Sequence, residues 1–172
     1  MTRTLFAHRR LAALALVGAG VAACATPVSP LIEALEGVYV VPGRATVTQP
    51  DGSARAVAQA TDCLVIARRS ALAAEVYLSS IQAGGASCVL EGVAVVDGER
   101  LFLRDPDARD PRQGVYLEAA SDAIRMRVQP QPGTNACGIH ADLSALRFDR
   151  SSRQALDRSA PSLPVLCPAW NR

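Results

Sequence analysis

The sequence contains no lysine, few aromatic residues and no apolar run long enough to cross a membrane as a helix. All 18 basic residues are arginines, and aromatic residues make up 4% of the 172 positions. The apolar run at 11–23 is shorter than the roughly 20 residues that a membrane-spanning helix needs. Because hydrophobic residues still make up 49% of the chain and charged residues 20%, these absences predict one soluble domain carrying an apolar N-terminal segment.

Motifs for the common kinds of catalysis are also lacking. There is no Gly-rich phosphate-binding loop and no nucleophile elbow, and the acidic residues form no recognisable pair of general acid and base. The cysteines lack the close spacing that zinc sites use. The sequence therefore predicts no enzymatic activity, no cofactor and no metal.

The stretch 137–142, Cys-Gly-Ile-His-Ala-Asp, contains the three residue types of a nucleophilic cysteine site. Such a site needs a thiolate within reach of an imidazole that a third group orients. Neighbours on an extended chain seldom converge in this way, and a disulfide is the expected fate of Cys137 in an oxidising compartment. A hydrolase that depends on His140 is therefore the weakest of the functional alternatives.

The first 24 residues have the layout of an export signal. Three arginines precede the apolar run, which ends in the sequence VAAC at 21–24. This ending resembles the lipobox of bacterial lipoproteins, in which signal peptidase II cleaves before the cysteine and the cysteine is acylated. The alternative is an ordinary secretory signal followed by a chance cysteine.

The lipobox resemblance implies the organisation of the whole chain. Residues 1–23 would be a cleaved signal peptide, 24–30 the lipidated Cys24 with a short tether, and 31–172 a single domain. Ala25 takes the place of the aspartate that retains such lipoproteins in the inner membrane of enteric bacteria. The resemblance therefore implies a lipid anchor in the outer membrane, with the domain facing the periplasm.

Signal cleavage would remove the excess of positive charge. Three of the 18 arginines lie in 1–23 and none of the 16 acidic residues does, so 15 arginines against 16 acidic residues leave a net charge of −1. A protein that binds nucleic acid generally needs a basic surplus. The processed chain therefore predicts no nucleic-acid partner, and the membrane is its first expected partner, through the lipid.

The cysteines after Cys24 predict two disulfides. Cys63, Cys88, Cys137 and Cys167 are an even number in an oxidising compartment, and they allow three connectivities. Pairing of sequence neighbours, 63 with 88 and 137 with 167, is the default because it would fasten the last 30 residues to the domain. One objection is geometric: two strands apart in a flat meander, the first pair would be about 9.6 Å apart, beyond the roughly 7 Å limit between Cα atoms.

The pattern after residue 37 is that of short strands. A short helix is predicted from Pro30, with Ser29 as its N-cap and Gly37 at its end. Nine or ten β-rich runs follow, separated by turn signals such as Asp97-Gly98, and 151–158 predicts one or two helical turns. The predicted fold is mainly β, a single antiparallel meander closed into a small barrel or sandwich, with an irregular C-terminal tail.

The segment 123–128 is the clearest strand. Ile124, Met126 and Val128 alternate with Arg125 and Arg127, which predicts one buried face and one exposed face.

Further arginines at 147, 150 and 153 follow in a segment that could return beside this strand. A face bearing up to five guanidinium groups would suit anionic lipid or peptidoglycan. The alternative is a solvated surface whose charges are balanced by nearby aspartates. The predicted anion-contact residues are Arg125, Arg127, Arg147, Arg150 and Arg153.

The segment 137–150, CGIHADLSALRFDR, resembles a stretch of small uncharacterised proteobacterial envelope proteins. This resemblance implies no function of its own. From the lipobox, the β-rich pattern with its predicted disulfides and the lack of catalytic motifs, we predict a lipid-anchored, non-catalytic binding or inhibitor-like module of the bacterial envelope. Its architecture would resemble the small disulfide-stapled β-barrel lipoproteins that inhibit lysozymes or modulate envelope enzymes, although a charge of −1 gives little steering toward a cationic lysozyme. A structural accessory subunit of an envelope assembly is the alternative.

Overall fold

A computed structural model of the chain describes residues 27–42, 46–48, 51, 53–56, 61–81, 87–106, 108–129 and 143–168. The strands in these ranges are β1 Gly37–Pro42, β2 Thr46–Thr48, β3 Ala54–Ala56, β4 Thr61–Arg68, β5 Ala73–Ile81, β6 Ser87–Asp97, β7 Arg100–Arg104, β8 Gly114–Ala119, β9 Ala123–Gln129, β10 Arg147–Asp149 and β11 Arg153–Gln154. Nine of these eleven strands form one antiparallel sheet, in the order β10-β9-β8-β7-β6-β5-β4-β1-β11, and the other two form a separate hairpin. The predicted antiparallel meander is thus confirmed.

The segment 147–154 nearly closes the sheet into a barrel. Its first part, β10, pairs with β9, and its last part, β11, pairs with β1, so one short stretch contacts both ends of the sheet. The 3-10 turn Arg150–Ser152 joins the two parts. The helical turns predicted for 151–158 are wrong beyond this turn, because Arg153 and Gln154 pair with the backbone of Tyr39 and Val38.

The helix α1, Pro30–Leu35, packs against one end of the barrel. Pro30 occupies the first turn, as predicted, and Ile32 and Leu35 are fully buried in the main core. The backbone N–H of Ser29 donates to the carbonyl of Ala71, in the turn between β4 and β5. We call this end, where the tight turns 69–72, 98–99 and 120–122 also lie, the α1 end.

At two positions the backbone has a positive φ angle, which favours glycine over other residues. Gly98 has φ +61 in the tight turn between β6 and β7, which confirms the hairpin predicted from Asp97-Gly98. Gly37 has φ +155 at the start of β1, where a Cβ atom would lie 2.9 Å from Cγ of Arg153. Since β11 pairs with β1 next to this point, a side chain at 37 would push the closing segment away.

The inward side chains of the strands form the main core. The predicted register of β9 is confirmed: Ile124 and Met126 are buried and Val128 is partly buried, whereas Arg125 and Arg127 are exposed. The closing strand β10 adds Phe148, which is fully buried.

A second, smaller core lies outside the barrel. Outward side chains of β1 and β4, including Val38 and Val65, pack against the C-terminal tail through Leu163 and Leu166. The tail therefore covers the outer side of β1, β4 and part of β5.

Candidate functional site

The disulfide that the structure describes joins Cys63 to Cys167, so the predicted pairing of sequence neighbours is wrong. Cys63 points outward from β4 into the second core, where the tail brings Cys167 to it. Cys88 points inward from β6 into the main core and is itself disulfide-bonded. Because Cys63 and Cys88 lie on opposite faces of the sheet, they cannot pair. The Cys63–Cys167 bond nevertheless fastens the tail to the domain, which is the role expected of the bond between 137 and 167.

Three of the five predicted anion-contact arginines share one face. Arg125 and Arg147 are directly opposite each other on β9 and β10, and Arg127 is two residues farther along β9. The guanidinium of Arg147 contacts the carboxylates of Asp122 at 2.6 Å and Asp149 at 3.1 Å. These contacts raise the pKa of Arg147 and hold the pKa of Asp122 below its ordinary value.

The other two arginines lie elsewhere and form hydrogen bonds with the end of helix α1. Arg150 and Arg153 each donate to the carbonyl of Ala34, at 3.5 and 3.4 Å, and Arg153 also donates to the carbonyl of Glu33 at 3.3 Å. These carbonyls belong to the last turn of α1, where cationic groups are favourable. Arg150 and Arg153 therefore help to fix the helix to the closing segment of the barrel.

The outward side chains of β6–β9 form a face that the tail does not cover, which we call the open face. At its α1 end a row of side chains crosses four strands, in which each member is the cross-strand partner of the next and has the opposite charge. Beyond these strands the alternation ends, because Arg147 of β10 lies opposite Arg125. Glu118 lies 3.7 Å from Arg100 and 3.4 Å from Arg127. We call this set the charged row: Asp97, Arg100, Glu118 and Arg125.

A second row lies next to it, farther from the α1 end. Val95, Phe102, Tyr116 and Arg127 are successive cross-strand partners, and we call them the aromatic row. The rings of Phe102 and Tyr116 have centroids 4.9 Å apart, and the guanidinium of Arg100 lies 4.0 Å above the Tyr116 ring. The hydroxyl of Tyr116 donates to Asp97 at 2.9 Å, which raises the pKa of this tyrosine. The two rows are thus held in place by contacts with each other.

Exposed valines extend the aromatic row along β6. Val95 is 47% exposed, Val93 38% and Val89 53%. A shallow cavity of about 460 Å³ lies beside the charged row, lined by 97–100, Glu118 and Ala119. The open face therefore combines exposed aliphatic groups, an aromatic pair and arginines, which are features of protein-binding surfaces.

The open face as a whole was not predicted from the sequence, although one signal for it is present. The Asp97-Gly98 turn fixes the register of the β6–β7 hairpin, so it places 97 opposite 100 and 95 opposite 102. The partners on β8 and β9 could not be found in this way, since the β7–β8 connection is long and carries no comparable signal.

A buried carboxyl group lies inside the opposite end of the barrel. Asp62 on β4 is only 6% exposed and accepts a hydrogen bond from the hydroxyl of Ser80 at 2.6 Å. Burial raises the pKa of Asp62, while the bonds from Ser80 and the backbone N–H of Ile81 oppose this effect.

Asp62 should make the stability of the protein depend on pH. Because its pKa is higher in the folded than in the unfolded chain, the folded chain binds more protons above the ordinary pKa of an aspartate, and stability falls as pH rises through that window. We expect Asp62→Asn to lose this dependence, so that the stability of the variant relative to wild type improves as the pH is raised from 4 to 7. Urea unfolding across this range measures the difference, and parallel curves would contradict it.

The remaining sequence predictions concern residues that lie outside the described ranges. These are the lipid site Cys24, the signal peptide, and Cys137 and His140 of the nucleophilic stretch. Within the described ranges, no three His, Cys, Asp or Glu side chains are placed to hold a metal ion together.

No helix in the described part of the chain has the length and apolar character needed to span a membrane. Comparison with known proteins adds no assignment: no family model matches the chain, and no curated protein or solved structure is significantly similar to it.

Proposed function

We propose that this protein is a lipid-anchored, non-catalytic binding module of the bacterial outer membrane that faces the periplasm and uses the open face to contact another protein. The observation that carries the proposal is the neighbourhood of exposed Val93 and Val95 with the Phe102–Tyr116 pair. Exposed aliphatic side chains beside aromatic rings favour binding, because covering them removes apolar surface from water.

The position of α1 supports a defined orientation of this face. Pro27 is the third residue after Cys24, and three residues span at most about 11 Å. A lipid on Cys24 would therefore hold the α1 end near the membrane. The open face begins at that end and would stand on the side of the anchored barrel, where it is accessible to another envelope protein.

The charges around the open face favour a protein partner over an anionic surface. Arg127 and Arg100 lie within 4 Å of Glu118, and Arg147 contacts two aspartates. Such local pairing lowers the positive potential that anionic lipid or peptidoglycan would require. An accessory role in an envelope assembly uses the same face and differs only in the permanence of the contact.

The proposal is tested by photo-crosslinking in living cells that produce the full-length chain. A photoreactive amino acid in place of Val95 is expected to give an adduct with a specific protein. The same amino acid in place of Val165, which is 62% exposed on the tail, should not give that adduct. Metabolic labelling with palmitate should mark the wild-type protein and not the Cys24→Ser variant.

Two outcomes would contradict the proposal. An absence of adducts at Val95, or the same adducts at both positions, would show that the open face is not the binding surface. Equal palmitate labelling of wild type and Cys24→Ser would show that Cys24 does not carry the lipid.

A further inference from the structure

We infer that the partner of the open face is a second copy of this chain, related to the first by a two-fold axis that runs parallel to the strands between β7 and β8. This inference rests on the proposed function, because it names the occupant of the same face. Its basis is the order of charges in the charged row.

The charged row is self-complementary under such an axis. Reading from β6 to β9, the signs are negative, positive, negative and positive, at Asp97, Arg100, Glu118 and Arg125. The two-fold axis exchanges β7 with β8 and β6 with β9. Asp97 of one copy therefore faces Arg125 of the other, and Arg100 faces Glu118, so every acidic group meets a guanidinium group in an isologous contact.

The aromatic row is compatible with the same axis. Phe102 on β7 would face Tyr116 of the other copy, which brings the two aromatic pairs together at the centre of the contact. Val95 would face the aliphatic stem of Arg127, a common way for arginine to cover apolar surface. The aromatic rings thus lie at the centre of the proposed contact. The two kinds of ion pair, 97 with 125 and 100 with 118, lie beside them.

Charge balance explains why a second copy fits better than an unrelated partner. The charged row has two acidic and two basic members, so it gives no net attraction to a uniformly acidic or basic surface. A complementary surface must carry the same alternation in the reverse order. The chain itself supplies that surface.

The N-terminal anchors are also compatible with this arrangement. An axis parallel to the strands leaves the α1 ends of both copies on the same side of the dimer. Both Cys24 residues could therefore insert their lipids into one membrane. Confinement to a membrane raises the effective concentration of the copies, which favours pairing through a face only four strands wide.

Arg125 and Asp97 are the residues for a decisive test. Arg125 has no ion pair within 4 Å among the described residues, so its replacement breaks no close intramolecular contact of that kind. The proposed dimer has two equivalent contacts between position 97 of one copy and position 125 of the other. In a dimer of Arg125→Asp each of these contacts would join two aspartates. In a dimer of Asp97→Arg each would join two arginines. A mixed dimer of the two variants would instead contain two opposite-charge contacts.

The test measures the mass of the full-length lipidated protein in mild detergent by analytical ultracentrifugation. Wild type is expected to form a dimer, and each variant alone should dimerise at least about tenfold more weakly. An equimolar mixture of the two variants, carrying different tags, should recover dimers that contain both tags. Such recovery also shows that both variants are folded, since an unfolded chain could not restore the contact.

The outcomes separate this inference from the proposed function. A monomeric wild type, or a dimer that neither variant weakens, would overturn the second-copy inference. If the adduct at Val95 then contains a different protein, the open face remains a binding surface with another occupant. If the protein is monomeric and Val95 gives no adduct, both the inference and the proposed function fail.

Discussion

Replacing Cys63 and Cys167 together by alanine is expected to lower the free energy of unfolding by about 4 to 5 kcal/mol. The two cysteines are 104 residues apart, so their bond restricts the unfolded chain more than a bond between sequence neighbours would, by about 1 kcal/mol. In the folded protein the bond also holds the tail against β4 in the second core. Equilibrium unfolding in urea at neutral pH, with wild type and the double variant under identical conditions, measures the change.

A matched control separates the crosslink from the packing beside it. Leu166→Ala removes apolar contact from the same second core and leaves both cysteines in place, so it should cost clearly less than the double variant. If the double variant were no less stable than Leu166→Ala, the long loop would contribute little. Tryptic peptides provide a direct check, since the peptide 56–68 should remain linked to 159–172 until reduction.

The same digest addresses the second disulfide. Cys88 is disulfide-bonded in the structure, and Cys63 and Cys167 are bonded to each other. With Cys24 predicted to carry lipid, Cys137 is the expected partner by elimination. The peptide 70–100 should therefore be linked to 128–147.

The pairing of cysteines illustrates a general limit of sequence reasoning on this chain. Their even number and the predicted oxidising compartment were sufficient to predict disulfides, because the first follows from composition and the second from the predicted export signal. The pairing depends on which face of the sheet each cysteine occupies. Cys63 lies in a run of six buried residues, 62–67, so its strand shows no alternation that would assign it to the outer face. The outer face of β4 is buried because the tail, which has no periodic pattern, covers it.

The near-closed barrel was predictable, but the segment that closes it was not. Short strands at regular spacing, with tight turns such as the one at Gly98, require antiparallel neighbours. Closure depends on the segment 147–154, whose two strands have three and two residues. Strands this short have no detectable period. In the structure Arg150 and Arg153 contact α1, and Phe148 of β10 is buried in the main core.

For the candidate site, too, the local features could be predicted from the sequence and the long-range arrangement could not. The outward direction of Arg125 and Arg127 followed from alternation on one strand and is confirmed. The neighbours of these arginines depend on the register between strands, which joins residues as distant as Asp97 and Arg125 into one row. Local pattern therefore predicted which side chains are exposed, and the long-range register determined what they form together.

Substituting Ile124 by alanine is expected to destabilise the protein by about 2 to 5 kcal/mol, whereas Arg125→Ala should change stability by less than about 0.5 kcal/mol. Ile124 is fully buried on β9 and is the cross-strand partner of both Ala119 and Phe148. Its truncation would leave a cavity where the closing strand meets the sheet, and a packed core relaxes only partly around such a cavity. Arg125 is exposed on the other face of the same strand.

The adjacent positions of Ile124 and Arg125 make this comparison a test of register. Both substitutions to alanine act on the same strand, and strand propensities differ among residues by at most about 1 kcal/mol, so a larger difference between the two variants measures burial. Thermal and urea unfolding of the two variants should therefore give well-separated curves. Equal losses would mean that β9 is shifted by one residue, which would turn its arginines into the core and remove the charged row from the surface. The stability of Ile124→Ala thus bears on the open face as directly as on the core, because one register fixes both sides of the sheet.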